Sequence, residues 1–84
     1  MKMWAIIERK EHEEFLLVFA DKDLALSAAD YCWNYMTEHD RKHCISFVVG
    51  LVNVESDDNG DYQYYEDENG NIDSDIYEIA ETFK

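Results

Sequence analysis

The 84-residue sequence has no proline and only three glycines. No stretch rich in Pro, Gly or Ser divides it and no repeat recurs, so it reads as one domain over residues 1–84. It also lacks a Gly-rich phosphate loop, a nucleophile elbow and an ordered Ser-His-Asp pattern. The expectation is therefore a protein that is not an enzyme and takes no cofactor. Cys32 and Cys44 are too few for a disulfide scaffold. Each stands beside apolar residues, where a free thiol packs as a small hydrophobe. No long hydrophobic run occurs either. The apolar start, Met1 to Ile7, meets Glu8, Arg9 and Lys10, well short of a signal-peptide core or of the about 20 residues a membrane span needs. A cytoplasmic protein with no membrane partner is expected.

Positive charge is the scarcest feature. Twenty acids against seven Lys and Arg give a net charge of −13, and no Lys or Arg occurs between Cys44 and Phe83. Without a basic patch to neutralise phosphates, direct nucleic-acid binding is disfavoured. What remains is the composition of a folded chain, 46% hydrophobic and 14% aromatic, richer in aromatics than a disordered acidic tail. A chain this short buries roughly 60–65% of its unfolded surface, enough for one modest core.

Periodicity then places the elements. Met3 to Glu8 reads as a strand, Glu8 to Glu14 as its connection, and Glu14 to Ala20 as a second strand through Phe15, Leu16, Leu17, Val18 and Phe19. At Asp21 the period changes: Asp21 suits an N-cap, and Asp23 lies in the first turn where the helix dipole favours an acid. Leu24, Ala28, Tyr31, Cys32, Tyr35, Met36 and His39 fall three or four apart, one face of a helix reaching about His39 and widened by Ala25, Ala29 and Trp33. Cys44 to Val54 is almost wholly apolar and predicts a central strand covered on both faces, or a long bent one, with Gly50 marking a bulge or close approach. Two Asn-Gly pairs, Asn59-Gly60 and Asn69-Gly70, signal hairpins because both residues tolerate positive φ. The first should fold a strand over Asp61 to Asp67 back on the long one. Ile76 to Phe83 suits a strand or a short helix, the strand being favoured. The fold class is α+β: a single mixed or antiparallel sheet, order ββαβββ, with one main helix on one face.

The segment Val18-Phe19-Ala20-Asp21-Lys22-Asp23-Leu24-Ala25 resembles one found in small uncharacterised proteins of bacteria and their phages. In those proteins a hairpin likewise feeds a helix. The resemblance spans about a dozen residues, carries no catalytic motif, and bears on the fold.

The acids concentrate late in the chain. Residues 44–84 hold eleven acids and one base, Lys84. Such crowding repels itself in the folded state, whereas an ordinary solvated face mixes signs. Acidic loops also arise for turn geometry and solubility alone. The functional alternative is a surface for a basic protein partner, which would gain through steering and complementarity. Its candidate residues are Glu55, Asp57, Asp58, Asp61, Tyr62, Tyr64, Tyr65, Glu66, Asp67 and Glu68. Aromatics among charges act as interface anchors, although Tyr62 and Tyr64 equally suit cross-strand packing. Alternate side chains on a strand lie about 6.5–7 Å apart, near the spacing of successive phosphates, so a row of carboxylates could imitate a nucleic-acid backbone. Fold and acidity are similar in character to the small phage anti-restriction and anti-CRISPR proteins. That likeness implies an inhibitor occupying the basic groove of a nucleic-acid-binding enzyme. The contrasting expectation is a structural domain that pairs a sheet edge or helix face with its own copy as a homodimer.

Metal sites are weaker. Glu55 to Glu66 resembles an EF-hand loop, with Gly60 at position six and Glu66 at twelve, but a strand precedes it where the motif needs a helix. Cys32, His39, His43 and Cys44 do not have the spacing of a structural zinc site. No metal ligand is assigned.

Overall fold

The computed structural model describes residues 1–11, 13–65, 68 and 78–84. Its elements are β1 (Lys2–Arg9), β2 (Glu13–Phe19), α1 (Lys22–Tyr35), α2 (Glu38–His43), β3 (Ser46–Ser56), β4 (Tyr62–Tyr64) and β5 (Glu78–Thr82). The protein is α+β, and the five strands among the described residues form one antiparallel sheet in the order β2-β1-β3-β4, with β5 also on β3. The mixed alternative is therefore set aside, and the last element is a strand.

β3 organises the sheet. β1 pairs along it from Ser46 to Asn53, while its other side is shared end to end by β5, opposite Val48 to Leu51, and β4, opposite Val54 to Ser56. Its continuous apolar run follows from burial on both faces. Phe47 and Val49 join Ile6 beneath the helix, and Val48, Val52 and Val54 join Met3, Ala5 and Ile7 on the opposite face. The β3–β5 register shifts opposite Val49 and Gly50, where β5 carries the extra residue, Ala80, between Glu81 and Ile79. The bulge expected at Gly50 thus lies in the partner strand, and Gly50 keeps regular register with Ala5 of β1. A second shift falls in β2 between the partners of Ile6 and Ile7. Both shifts place the extra residue in a flanking strand, β2 or β5, as bulges commonly fall at sheet edges.

α1 begins as its sequence directs. The Asp21 carboxylate accepts from the N–H groups of Asp23 (2.7 Å) and Leu24 (3.2 Å). Its end and its orientation both differ from expectation. The helix stops at Tyr35, where Met36 turns extended (ψ 142°). A second helix, α2, then starts from Thr37, whose Oγ accepts from the Asp40 N–H at 3.1 Å. Glu38 and Asp40 in its first turn and Arg41, Lys42 and His43 in its last complement the dipole. His39 and His43 thus belong to α2, their rings 4.3 Å apart.

The buried face of α1 is centred on Ala25 and Ala29, with Leu26, Cys32, Trp33 and Met36 beside them. Leu24, Tyr31, Tyr35 and His39, expected in the core, are exposed. The physical reason is size. Two alanines let the helix settle onto the large side chains of Ile6, Phe47 and Val49. Trp33 then packs against Phe47 (5.5 Å between centroids) and Phe83 (6.4 Å), and the tyrosines keep their hydroxyls in water. Both cysteines are free thiols, Cys44 buried and Cys32 half-buried. Cys44 donates to the Ser46 carbonyl at 3.0 Å, and burial pushes its thiol above the ordinary range, with the charge of Glu8 adding to the effect.

Candidate functional site: the acidic hairpin

The strand pair β3–β4 carries the hairpin that the acids crowd. Val54, Glu55 and Ser56 stand opposite Tyr64, Gln63 and Tyr62. The turn between them departs from the expected Asn-Gly type. Only Gly60 has positive φ (82°), and Asn59 does not. The Gly60 N–H donates to the Asp57 carbonyl (3.1 Å) and the Asp57 N–H to the Asp61 carbonyl (2.8 Å). This is a β-turn followed by one left-handed glycine, the longer hairpin connection. A side chain at residue 60 would meet nothing, so the backbone angle alone calls for glycine there.

Asp57 holds the turn together. Its Oδ1 accepts from the N–H groups of Asn59 (2.9 Å) and Asp61 (2.9 Å), and its Oδ2 from Gln63 Nε2 (3.3 Å). These bonds, the one from Asp61 first, keep its carboxyl below the ordinary aspartate range, against a smaller opposing effect of desolvation. Asp57 is therefore a structural acid, and Gln63 is its partner, a role that the strand pattern alone did not reveal. The composition offered only the general signal that Asp often opens a turn.

The other candidates divide. Glu55, Asp58 and Asp61 are exposed, as are Tyr62, Tyr65 and Glu68. Tyr65 donates its hydroxyl to Glu55 Oε2 at 3.3 Å, which joins an aromatic to an acid on one surface. Tyr64 lies in β4 opposite Val54. Glu66 and Asp67 lie outside the described residues, as do the Asn69-Gly70 pair and Ile76. The expected strand over Asp61 to Asp67 is described only as Tyr62–Tyr64, and those three residues include no acid. Of the described candidate acids, Asp57, Asp58 and Asp61 therefore gather at the turn and Glu55 lies at the end of β3, and they do not form an alternating row along β4.

The metal alternatives find no assembled geometry. The Glu55–Asp61 segment is entered from β3, and Asp57, at position three of the EF-hand pattern, is engaged with its own turn. Among the described residues no three His, Cys, Asp or Glu side chains converge to hold an ion, and no helix is long and apolar enough to cross a membrane. No family model, curated protein or solved structure matches the chain.

Proposed function

We propose that the hairpin of Glu55, Asp58, Asp61, Tyr62 and Tyr65 is the contact surface for a basic protein partner. The observation that carries this reading is the exposure of these acids on one hairpin, in a stretch where no Lys or Arg occurs from Cys44 to Phe83. Each carboxylate repels the next, and between Glu55 and Tyr65 no Lys or Arg is interleaved to relieve the repulsion. A cationic surface would relieve it. Tyr62 and Tyr65 add the aromatic area that gives such contacts their affinity. The partner form we favour is the positively charged groove of a nucleic-acid-binding enzyme, since such grooves concentrate Lys and Arg to neutralise phosphates. The protein would then act as an inhibitor that fills the groove, through charge density at the turn.

Affinity capture from bacterial lysate at low and at high salt tests the reading. The comparison bait carries Glu55→Gln, Asp58→Asn and Asp61→Asn and keeps Asp57, so that the turn survives. The expected result is one nucleic-acid-binding protein held by the native bait and lost with either salt or neutralisation. If both baits capture the same proteins, or the native bait captures only itself, the hairpin is merely a solubilising surface and the proposal falls.

A further inference from the structure

α1 has more apolar surface than the sheet covers. Leu24, Tyr31 and Tyr35 are 60%, 62% and 74% exposed, and the two phenol rings stack with centroids 4.8 Å apart. With 3.6 residues per turn, positions 24, 28, 31 and 35 fall within an arc of about 60°, so together with half-buried Ala28 they make one strip about 16 Å long. Trp33 leaves the helix on the other flank, toward Phe47 and Phe83. The strip therefore runs along the flank turned to β2. Leu17 of β2, whose register partner Ile6 belongs to the cluster under the helix, is likewise 47% exposed. An exposed apolar strip with two tyrosines has the composition of an interface.

Charge selects the occupant. The outer margin of the strip is Asp23, Ser27, Asp30 and Asn34, and no Lys or Arg occurs from Asp23 to Asp40. Lys22, at the start of the helix, is directed inward, its ammonium 5.6 Å from the centre of the Trp4 ring. A second copy would bring a net charge of −13 against an equal −13. A segment with Lys or Arg beside its apolar stripe meets complementary charge at the same place. Three turns of strip is the length along which one helix lies on another. We propose that the strip from Leu24 to Tyr35 docks a basic amphipathic helix of a partner protein. This surface is separate from the hairpin, and the inference does not rest on the hairpin's role.

The probe is a helical peptide of about 18 residues, five turns, built of Leu and Lys in amphipathic order. A Leu and Glu peptide of the same pattern is the control. Titrated into isotope-labelled protein, the Lys peptide should bind one to one and shift the amide signals of Leu17, Leu24, Ala28, Tyr31 and Tyr35. The variant Leu24→Ser, Tyr31→Ser, Tyr35→Ser should bind about tenfold or more weakly, as loss of interface anchors requires. Tyr35→Ser alone, at the most exposed position, gives the same reading in part should the triple change disturb folding. The hairpin variant Glu55→Gln, Asp58→Asn, Asp61→Asn should still bind with the strip signals shifting, and the Glu peptide should not bind. Shifts confined to the hairpin, equal binding by the strip variants, or a native dimer that the strip variants render monomeric would each overturn the proposal.

Discussion

The two ends of β3, about 34 Å apart for an 11-residue strand, manage charge in opposite ways. At its start Arg9 stands opposite Ser46. The Lys84 carbonyl accepts from the Phe47 N–H at 2.8 Å, and the Lys84 ammonium caps α2 through the carbonyls of Arg41 (2.6 Å) and Lys42 (3.4 Å). Arg41 in turn donates to the Trp33 carbonyl at 3.2 Å and lies over the Trp33 ring. Acids are interleaved with these bases, and Lys10 pairs with Glu8 at 3.5 Å. At the far end positive charge stops with Lys2, opposite Asn53, and the Met1 ammonium, which donates to the Val54 carbonyl at 3.0 Å. The chain beyond, Glu55 to Tyr65, carries acids without a Lys or Arg. The lone base of the second half of the sequence, Lys84, is thus carried back to the mixed end. Low pI is not spread evenly over the molecule. Where elements must pack, signs alternate; where the hairpin turns, they do not.

The largest expected effect lies in the packed end. Phe47 is fully buried and touches both Trp33 and Phe83. Phe47→Ala should lower the unfolding free energy by about 3–5 kcal/mol, the cost of an emptied aromatic site, read from urea unfolding. A loss below about 1 kcal/mol would show that this end is not the structural one. Thr37→Ala removes the cap that starts α2 and should cost about 1 kcal/mol, with the amide signals of Glu38 to His43 shifting first. If those signals stay in place, α2 is held by Lys84 and not by its cap.

Acid separates the ends further. Because the Asp57 carboxyl is held below its ordinary range by the Asp61 N–H and its neighbours, its contribution is complete above the unfolded value near pH 4 and is lost as pH falls through the lower folded value. The hairpin should therefore hold down to about pH 4 and open below it, with the Asn59 and Asp61 amides moving before those of α1. Asp57→Ala should abolish this acid transition by opening the turn at neutral pH. A hairpin whose amides stay fixed in strong acid would contradict the role assigned to Asp57.

Much of the fold was legible because its signals are local. The apolar run through Val48, Val49 and Val52 marked the central strand, and Asp21 the start of α1. The rotation of α1 was not legible. Apolar side chains surround more than half of that helix, so spacing alone could not say which arc meets the sheet; the small size of Ala25 and Ala29 decided it. The break at Met36 was hidden because Thr37 to His43 continues a helical spacing, although Thr37 with Asp40 three residues on was a usable capping signal. In the hairpin the sequence located the turn but not its type. The Asn59-Gly60 pair suggested two left-handed residues, whereas Asp57 stabilises a turn that needs only one.

The most direct measurement compares the unfolding midpoint of native protein with that of Glu55→Gln, Asp58→Asn, Asp61→Asn across a salt series. If the unmixed end carries charge that folding opposes, the neutralised protein is the more stable at low salt, and the difference closes as salt screens the native hairpin. A neutralised protein less stable than native, or a difference indifferent to salt, would mean that these acids serve the fold, and the contrast between the two ends would have no functional content.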